Sequence, residues 1–232
     1  PNLSKRAAEG VRAEGMRPSY PALTFPNHWT LVTGLRPDRN GIVHNVMRDP
    51  GIGAFKAGNE TNAGDARWWN GAEPIWVTAE RAGMRMATMF WPGSQAPVRG
   101  VRPTHWRAYD ERVPDDARVD QVVQWLASKD DVRLATMYFE LLDDSGHGFG
   151  PDSPEVARDI AKVDATIGRL VDELQVRGLR ERVNLVIVSD HGMAEVAPGH
   201  AIAVEDMVDG RGATLFANGQ VVTFAPVRGR RR

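Results

Sequence analysis

Leu134-Ala135-Thr136-Met137-Tyr138-Phe139-Glu140-Leu141 runs directly into Leu142-Asp143-Asp144-Ser145-Gly146-His147-Gly148, and this passage decides the fold. Its first eight residues are apolar enough to predict a buried strand. Residues 153–177 then carry the clearest helical period in the chain: Val156, Ile160, Val163, Ile167, Leu170, Val171 and Leu174 recur at threes and fours, with Gly178 as the stop. Val183 to Val188 is a second continuous apolar run that predicts a strand, and Ser189-Asp190-His191-Gly192-Met193 follows at once. Near-unbroken apolar strands alternating with amphipathic helices predict a mostly parallel sheet covered on both faces, the α/β class. Ligands of such sheets bind beyond the carboxyl ends of the strands. Both acid–imidazole pairs, Asp143 with His147 and Asp190 with His191, fall there.

The pattern continues outward from this unit. Residues 115–128 predict a helix with Val119, Val122, Val123 and Leu126 on one face, and Met84 to Trp91 predicts a strand stopped by Pro92-Gly93. The loop between them holds His105, Trp106 and Tyr109. Pro74 to Arg81 reads as a helix, and Asp49 to Gly71, rich in Gly, Asn and Ala, reads as a long irregular excursion with Trp68 and Trp69 packing it down. Residues 3–14 predict an amphipathic helix ending at Gly15. Beyond residue 200 the expectations are a short helix over 203–208 and two strands joined at Asn218-Gly219, a good hairpin turn.

Composition narrows the function classes. The 232 residues are 42% hydrophobic and 25% charged with a formal net charge of -1, which fits a globular domain and points to neither a nucleic-acid duplex nor an anionic membrane as a bulk partner. Cys is absent, so any metal would be held by carboxylates and the six His. No apolar run is long enough to span a membrane.

The segment Tyr20-Pro21-Ala22-Leu23-Thr24-Phe25-Pro26-Asn27-His28-Trp29-Thr30-Leu31-Val32-Thr33-Gly34 reads as a loop ending at Thr24 with a helix opening behind it, since Pro is favoured in a first turn. A helix start offers unpaired N–H groups and partial positive charge, where a phosphate would be held. Taken alone, Thr24 is better read as a cap. Two acid–imidazole pairs at strand ends change that balance, because carboxylate oxygen and imidazole nitrogen suit zinc or another divalent ion. The chemistry needing this set is phosphoryl transfer through two metals, one activating the Thr24 hydroxyl as nucleophile and the other stabilising the leaving oxygen. Asn45, after Gly41-Ile42-Val43-His44, would donate an amide N–H to a phosphate oxygen; its other reading is a cap or turn residue.

Four blocks carry a resemblance: Thr24-Phe25-Pro26-Asn27-His28 with Thr33-Gly34, Gly41-Ile42-Val43-His44-Asn45, Asp143-x-x-Gly146-His147-x-x-Gly150-Pro151, and Ser189-Asp190-His191-Gly192-Met193. In this order they resemble the nucleotide pyrophosphatase/phosphodiesterase family of the alkaline phosphatase superfamily, over nearly the whole chain to about residue 222. The resemblance implies a doubly wound α/β sheet and two zinc ions. It makes Thr24 the nucleophile and Asn45 its phosphate-binding partner. It places Asp190 and His191 on the zinc that activates Thr24, and Asp143 and His147 on the other. Phe25, Tyr138 and Tyr109 match positions lining the nucleotide pocket; for Phe25 and Tyr138 a packing role stands beside the stacking one. Relatives are commonly periplasmic or extracellular.

The chain departs from the family pattern twice. It begins after the family's first strand, whose Asp ligates the Thr-side zinc, and lacks the distant C-terminal His of the second. Residues 1–222 are therefore expected to form a partial domain followed by a basic end (223–232), with weak zinc binding, little activity, and an unpaired position in the sheet. His200 lies too close to Asp190 to replace that His. The expected substrate is a small nucleotide or other phosphodiester. The competing readings are a monoesterase or phosphonate hydrolase on the same metals, and a non-catalytic remnant.

Overall fold

The computed structural model describes residues 1–197, 199–200, 202–207, 211–217 and 220–227. Its centre is a three-stranded parallel sheet in the order β4-β3-β5, where β3 is Arg85–Met89, β4 His105–Arg107 and β5 Val132–Met137. Successive side chains of β3 point to opposite faces, so one strand feeds two cores. Met86 joins a cluster with Trp29, Trp69 and Trp76, the last from α6 (Ile75–Arg81). Ala87 and Met89 face Val122 and Trp125 of α7 (Asp115–Leu126) on the other side. Both faces of the sheet are thus covered, as an α/β fold requires.

The strongest sequence period forms the longest helix, α9 (Pro154–Val176), opened by the Ser153 hydroxyl accepting from the Val156 N–H. Its Leu170 and Leu174 pack on Val119 and Val123 of α7. Gly178 follows with φ 66°, a left-handed value only Gly adopts without strain. The first helix is shorter than its period predicts. α1 (Asn2–Glu9) stops at Gly10, and Val11, fully exposed, has no surface to pack against. What holds α1 is Asp164 of α9, whose carboxylate accepts from the Asn2 and Leu3 N–H groups at 2.8 Å each.

Those two hydrogen bonds keep the Asp164 carboxyl below its ordinary 3.8. A depressed carboxyl contributes stability that is present above its unfolded value and lost as pH falls through the folded one. Amide exchange across residues 2–9 is therefore expected to accelerate as pH falls below the ordinary carboxylate range, ahead of that in α9, and Asp164→Asn should show the fast exchange already at neutral pH. Equal protection of both helices in acid would contradict the tie.

Three further expectations need correction. The 49–71 stretch is ordered: β1 (Val46–Asp49) and β2 (Gly53–Lys56) form an antiparallel hairpin, followed by α4 (Glu60–Gly64) and α5 (Ala66–Trp69), which bury Trp68 and Trp69. The excursion is held by that aromatic packing, which a search for periodicity does not detect. The apolar run Val183 to Val188 is not a strand. No ladder partner meets it among the described residues, and Leu185, Val186, Ile187 and Val188 stay 38, 79, 47 and 51% exposed. β-Branched residues supply strand propensity, but a strand exists only through a neighbour's hydrogen bonds. The third concerns the opening passage. The strand ends at Met137, and Leu141–Phe149 forms helix α8 with Glu140 as its cap residue. Asp143 and His147 are therefore successive turns of one helix face, not two tips of a loop.

Towards the end of the chain, α10 (Val204–Met207) precedes an antiparallel pair, β6 (Ala213–Ala217) and β7 (Thr223–Pro226). The expected turn Asn218-Gly219 lies outside the described residues, as do Val208 of the expected 203–208 helix and residues 228–232 of the basic end.

Candidate active site

Thr24 is the first residue of α2 (Thr24–Thr33), whose cap position is Leu23 with no side-chain cap bond. The Thr24 hydroxyl does not cap the helix. It lies 3.1 Å from His191 Nε2, across 167 residues of sequence. The expected phosphate-binding helix start is largely occupied by the protein itself. The Phe25 N–H donates to Asn45 Oδ1 at 3.0 Å, Pro26 has no N–H, and the Asn27 N–H closes the first helical turn on Leu23. That bond holds the Asn45 amide with its oxygen occupied and leaves its NH2 group to donate elsewhere.

His191 Nδ1 sits 3.0 Å from the Gly192 carbonyl. A carbonyl only accepts, so Nδ1 carries a proton, and Nε2 is the ring nitrogen that faces Thr24. The same Nε2 is 3.3 Å from Asp190 Oδ2 and 3.8 Å from Asp143 Oδ1. His147 Nε2 is 3.6 Å from that Asp143 oxygen, which is buried without a hydrogen-bond partner among the described residues. An unprotonated ring nitrogen facing two carboxylate oxygens would be repelled by them, so the arrangement calls for positive charge at that point, as a proton or a metal ion.

No three His, Cys, Asp or Glu side chains among the described residues form a ready-made metal cage. The donor chemistry nevertheless fits an ion. A tetrahedral centre with bonds of about 2.0–2.1 Å separates its ligands by about 3.3 Å, the spacing found between Asp190 Oδ2 and His191 Nε2. An orphaned buried carboxylate oxygen also calls for a partner that the protein does not supply.

His28, one turn after Thr24 in α2, received no role from sequence reasoning. Its Nδ1 donates to the Thr24 carbonyl at 2.8 Å and lies 3.3 Å from Asp190 Oδ2. Burial pushes the Asp190 carboxyl up, but the His28 hydrogen bond and charge, with His191, outweigh burial and hold it low. His28 is itself fixed by Trp91, whose Nε1 donates to its carbonyl at 3.3 Å, and by ring-edge contacts with Trp91 and Tyr138 at 4.9 and 4.7 Å. The available signal was helical spacing, since residues 24 and 28 share a face.

The sequence family described as type I phosphodiesterase / nucleotide pyrophosphatase matches residues 1–231. The chain belongs to that family. Among relatives of this phosphodiesterase family, human ectonucleotide pyrophosphatase/phosphodiesterase family member 1 is 41% identical over 197 residues, 84% of this chain and 21% of its own. An uncharacterized pyrophosphatase/phosphodiesterase of Schizosaccharomyces pombe is 39% identical over 211 residues, 89% of this chain and 43% of its own. Murine ectonucleotide pyrophosphatase/phosphodiesterase 5 superposes with a TM-score of 0.93 at 34% identity over 99% of this chain and 62% of that chain. An inactive threonine-to-alanine variant of the murine protein in complex with AMP superposes equally well, at 33% identity. The phosphodiesterase-family chain described here thus spans a minority of those two curated relatives' length, and its fold is the α/β fold of its structural neighbours.

The three expected pocket aromatics of this family member divide. Phe25 is drawn into the core, 5.8 Å from Phe55 and 6.1 Å from Trp69, which favours packing. Tyr138 packs its ring edge on His28, and burial together with the Asp190 and Asp143 carboxylates pushes its phenol up, so it stays a neutral donor. Tyr109 is 41% exposed and backed edge-on by Phe90 at 5.5 Å, leaving much of its ring open. His200, set aside in the sequence reading, is exposed.

Proposed function

We propose that this chain carries the site of a zinc-dependent phosphodiesterase that cleaves nucleotide phosphodiester or pyrophosphate bonds through a covalent nucleotidyl-threonine. One observation carries the reading: the Thr24 hydroxyl lies 3.1 Å from His191 Nε2, which two carboxylates also face. The inactive threonine-to-alanine murine variant, which binds AMP, supports both the nucleophile and the substrate class. Asp190 and His191 would hold the ion beside Thr24, and Asp143 with His147 a second. When bound, zinc would supply Lewis acidity there, lowering the hydroxyl pKa and neutralising phosphoryl charge.

The chain's own residues do the rest. Thr24 Oγ1 forms a bond to phosphorus as the bond to the leaving oxygen breaks, and the departing alkoxide or phosphate takes up a proton. Water then attacks phosphorus, releases the nucleoside monophosphate and returns the proton to Thr24. Asn45 donates its free amide N–H to a non-bridging oxygen, held in place by the Phe25 N–H. His28 anchors the Thr24 carbonyl and the Asp190 carboxylate together, which keeps the nucleophile in register with the acid.

A diester is favoured over a monoester because the residues after Thr24 carry no cation. They are Phe25, Pro26 and Asn27, and the Asn27 amide is engaged by the carbonyls of Ser19, Pro21 and Leu23. In zinc-supplemented buffer a nitrophenyl nucleotide ester should therefore be hydrolysed at least about tenfold faster than nitrophenyl phosphate. Removing zinc with a chelator should abolish the rate, and restoring it should recover the rate. A preference for the monoester would shift the assignment to a monoesterase, and undiminished turnover without bound metal would end it. Asn45→Ala should lower kcat by about 10²–10³-fold with little change in fold. A Phe25 N–H left uncapped costs helix stability only, so a kcat within twofold of wild type, or about that, would remove Asn45 from the site.

A further inference from the structure

Arg118 is 2% exposed, yet neither the reaction nor the sheet requires a buried cation there. Its guanidinium ties three segments together. Nε donates to the Val113 carbonyl at 2.9 Å, in the loop that carries Tyr109. Nη1 donates to the Tyr138 carbonyl at 3.1 Å, just past the end of β5. Nη1 and Nη2 form a two-toothed pair with the Glu140 carboxylate at 2.5 and 2.6 Å, at the cap of the helix that bears Asp143 and His147. The Cζ of the same group lies over the Phe90 ring, 4.8 Å from its centroid, and Phe90 backs Tyr109. Phe90 itself adopts φ 62°, a left-handed conformation unusual for an aromatic residue and maintained only when its surroundings fix it.

A buried ion pair of this kind adds little net stability compared with apolar side chains of the same volume, because desolvation offsets its attraction. What a planar, five-donor fork supplies is geometry. We propose that Arg118 is a positioning residue that sets the Tyr109 wall of the nucleotide pocket, so that it governs affinity for the nucleotide base while leaving the phosphoryl chemistry at Thr24 largely alone. The inference rests on the phosphodiesterase reading. Its ligand is the nucleoside portion of the substrate, which an aromatic wall recognises by stacking.

The test compares wild type, Arg118→Lys, Arg118→Met, Tyr109→Ala and the Arg118→Lys/Tyr109→Ala double variant. Two diesters are used, a nitrophenyl nucleotide ester and methyl nitrophenyl phosphate, which has no base, and AMP binding is measured by calorimetry. Arg118→Lys keeps the charge but loses the fork, and should raise KM for the nucleotide ester and Kd for AMP about tenfold. Its kcat should stay within about twofold, and kcat/KM for the base-free diester should be unchanged. The double variant should be no worse than Tyr109→Ala alone, since both changes remove the same wall. Arg118→Met keeps the packing volume and should show the same split if the lysine variant folds poorly. Equal losses on both diesters, or losses that multiply in the double variant, would overturn the proposal. If wild type hydrolyses neither diester, the phosphodiesterase reading fails first; AMP binding weakened by Arg118→Lys would then still uphold the positioning role, and unweakened binding would sink it.

Discussion

Thr24→Ala is expected to lower turnover of a nitrophenyl nucleotide ester by more than about 10³-fold while leaving the fold intact. Deleting a nucleophile removes the covalent route, and what remains is transition-state binding by the surrounding groups. The substitution is structurally mild for two reasons. The hydroxyl makes no cap bond, and Thr24 occupies a helix start where Ala is well tolerated. Its one side-chain hydrogen-bond partner among the described residues is His191, 3.1 Å away, so the change deletes the contact at issue and little else. Thr24→Ser keeps an oxygen at the same place and should retain far more activity, the difference being the lost methyl and a freer χ1. On the proposed reading the variant should still bind AMP, because Tyr109 and Asn45, which that reading gives to the nucleotide, are untouched. A Thr24→Ala chain that kept more than about a tenth of the wild-type rate would show that another atom attacks phosphorus.

The largest stability effect is expected at Trp29. It is fully buried, with ring centroids 5.0 Å from Trp69 and 5.6 Å from Trp76, and it belongs to the same cluster as Met86 of the central strand. Removing a buried tryptophan ring costs about 3–5 kcal/mol in lost transfer energy and cavity. One term works the other way, since Trp29 Nε1 is buried without a hydrogen-bond partner among the described residues. An unmet donor carries a penalty of about 1–3 kcal/mol, which its deletion relieves. The balance places Trp29→Ala near the lower figure, about 3 kcal/mol, and Trp29→Phe well below it, because the ring is largely kept and the orphan donor is gone. Denaturant midpoints at constant m would measure both. Neighbouring Gly93 gives an independent check on how tightly this cluster closes. A Cβ there would sit 2.6 Å from the Trp69 ring and 2.8 Å from that of Trp29, at a left-handed φ of 84°. Gly93→Ala should therefore destabilise through both clash and backbone. A neutral outcome at Trp29 would mean that the cluster rearranges to fill the space.

These two expectations concern the same helix, and they separate its two faces. Thr24 and His28 look towards Asp190 and His191, while Trp29 and Val32 look into the aromatic core. A loss of activity at Trp29→Ala that scaled with unfolding, and a loss at Thr24→Ala that did not, would confirm that division.

Local pattern alone determined a good deal about this protein. The period of residues 153–177, the Ser cap ahead of it and the Gly after it specify α9, because helix period and caps are set within a few residues of one another. The four motif blocks were legible for the same reason, each being short and contiguous. Sequence also placed Thr24 at a helix start and the two acid–imidazole pairs beyond the apolar runs. Tertiary structure decided the rest. The Trp-rich stretch at 49–71 has no periodicity, yet it becomes a hairpin and two short helices because Trp68 and Trp69 find a core built by distant segments. Asp143 and His147 lie on a helix because the chain leaves β5 at Met137 and enters helical turns at Leu141, a boundary that the apolar run does not mark. Val183 to Val188 has the composition of a strand, but pairing depends on a neighbour's backbone, and composition says nothing about that. His28, Arg118 and the Asn45–Phe25 bond acquire their roles only through contact. Each joins groups brought together by packing, and no window of sequence spans such a distance.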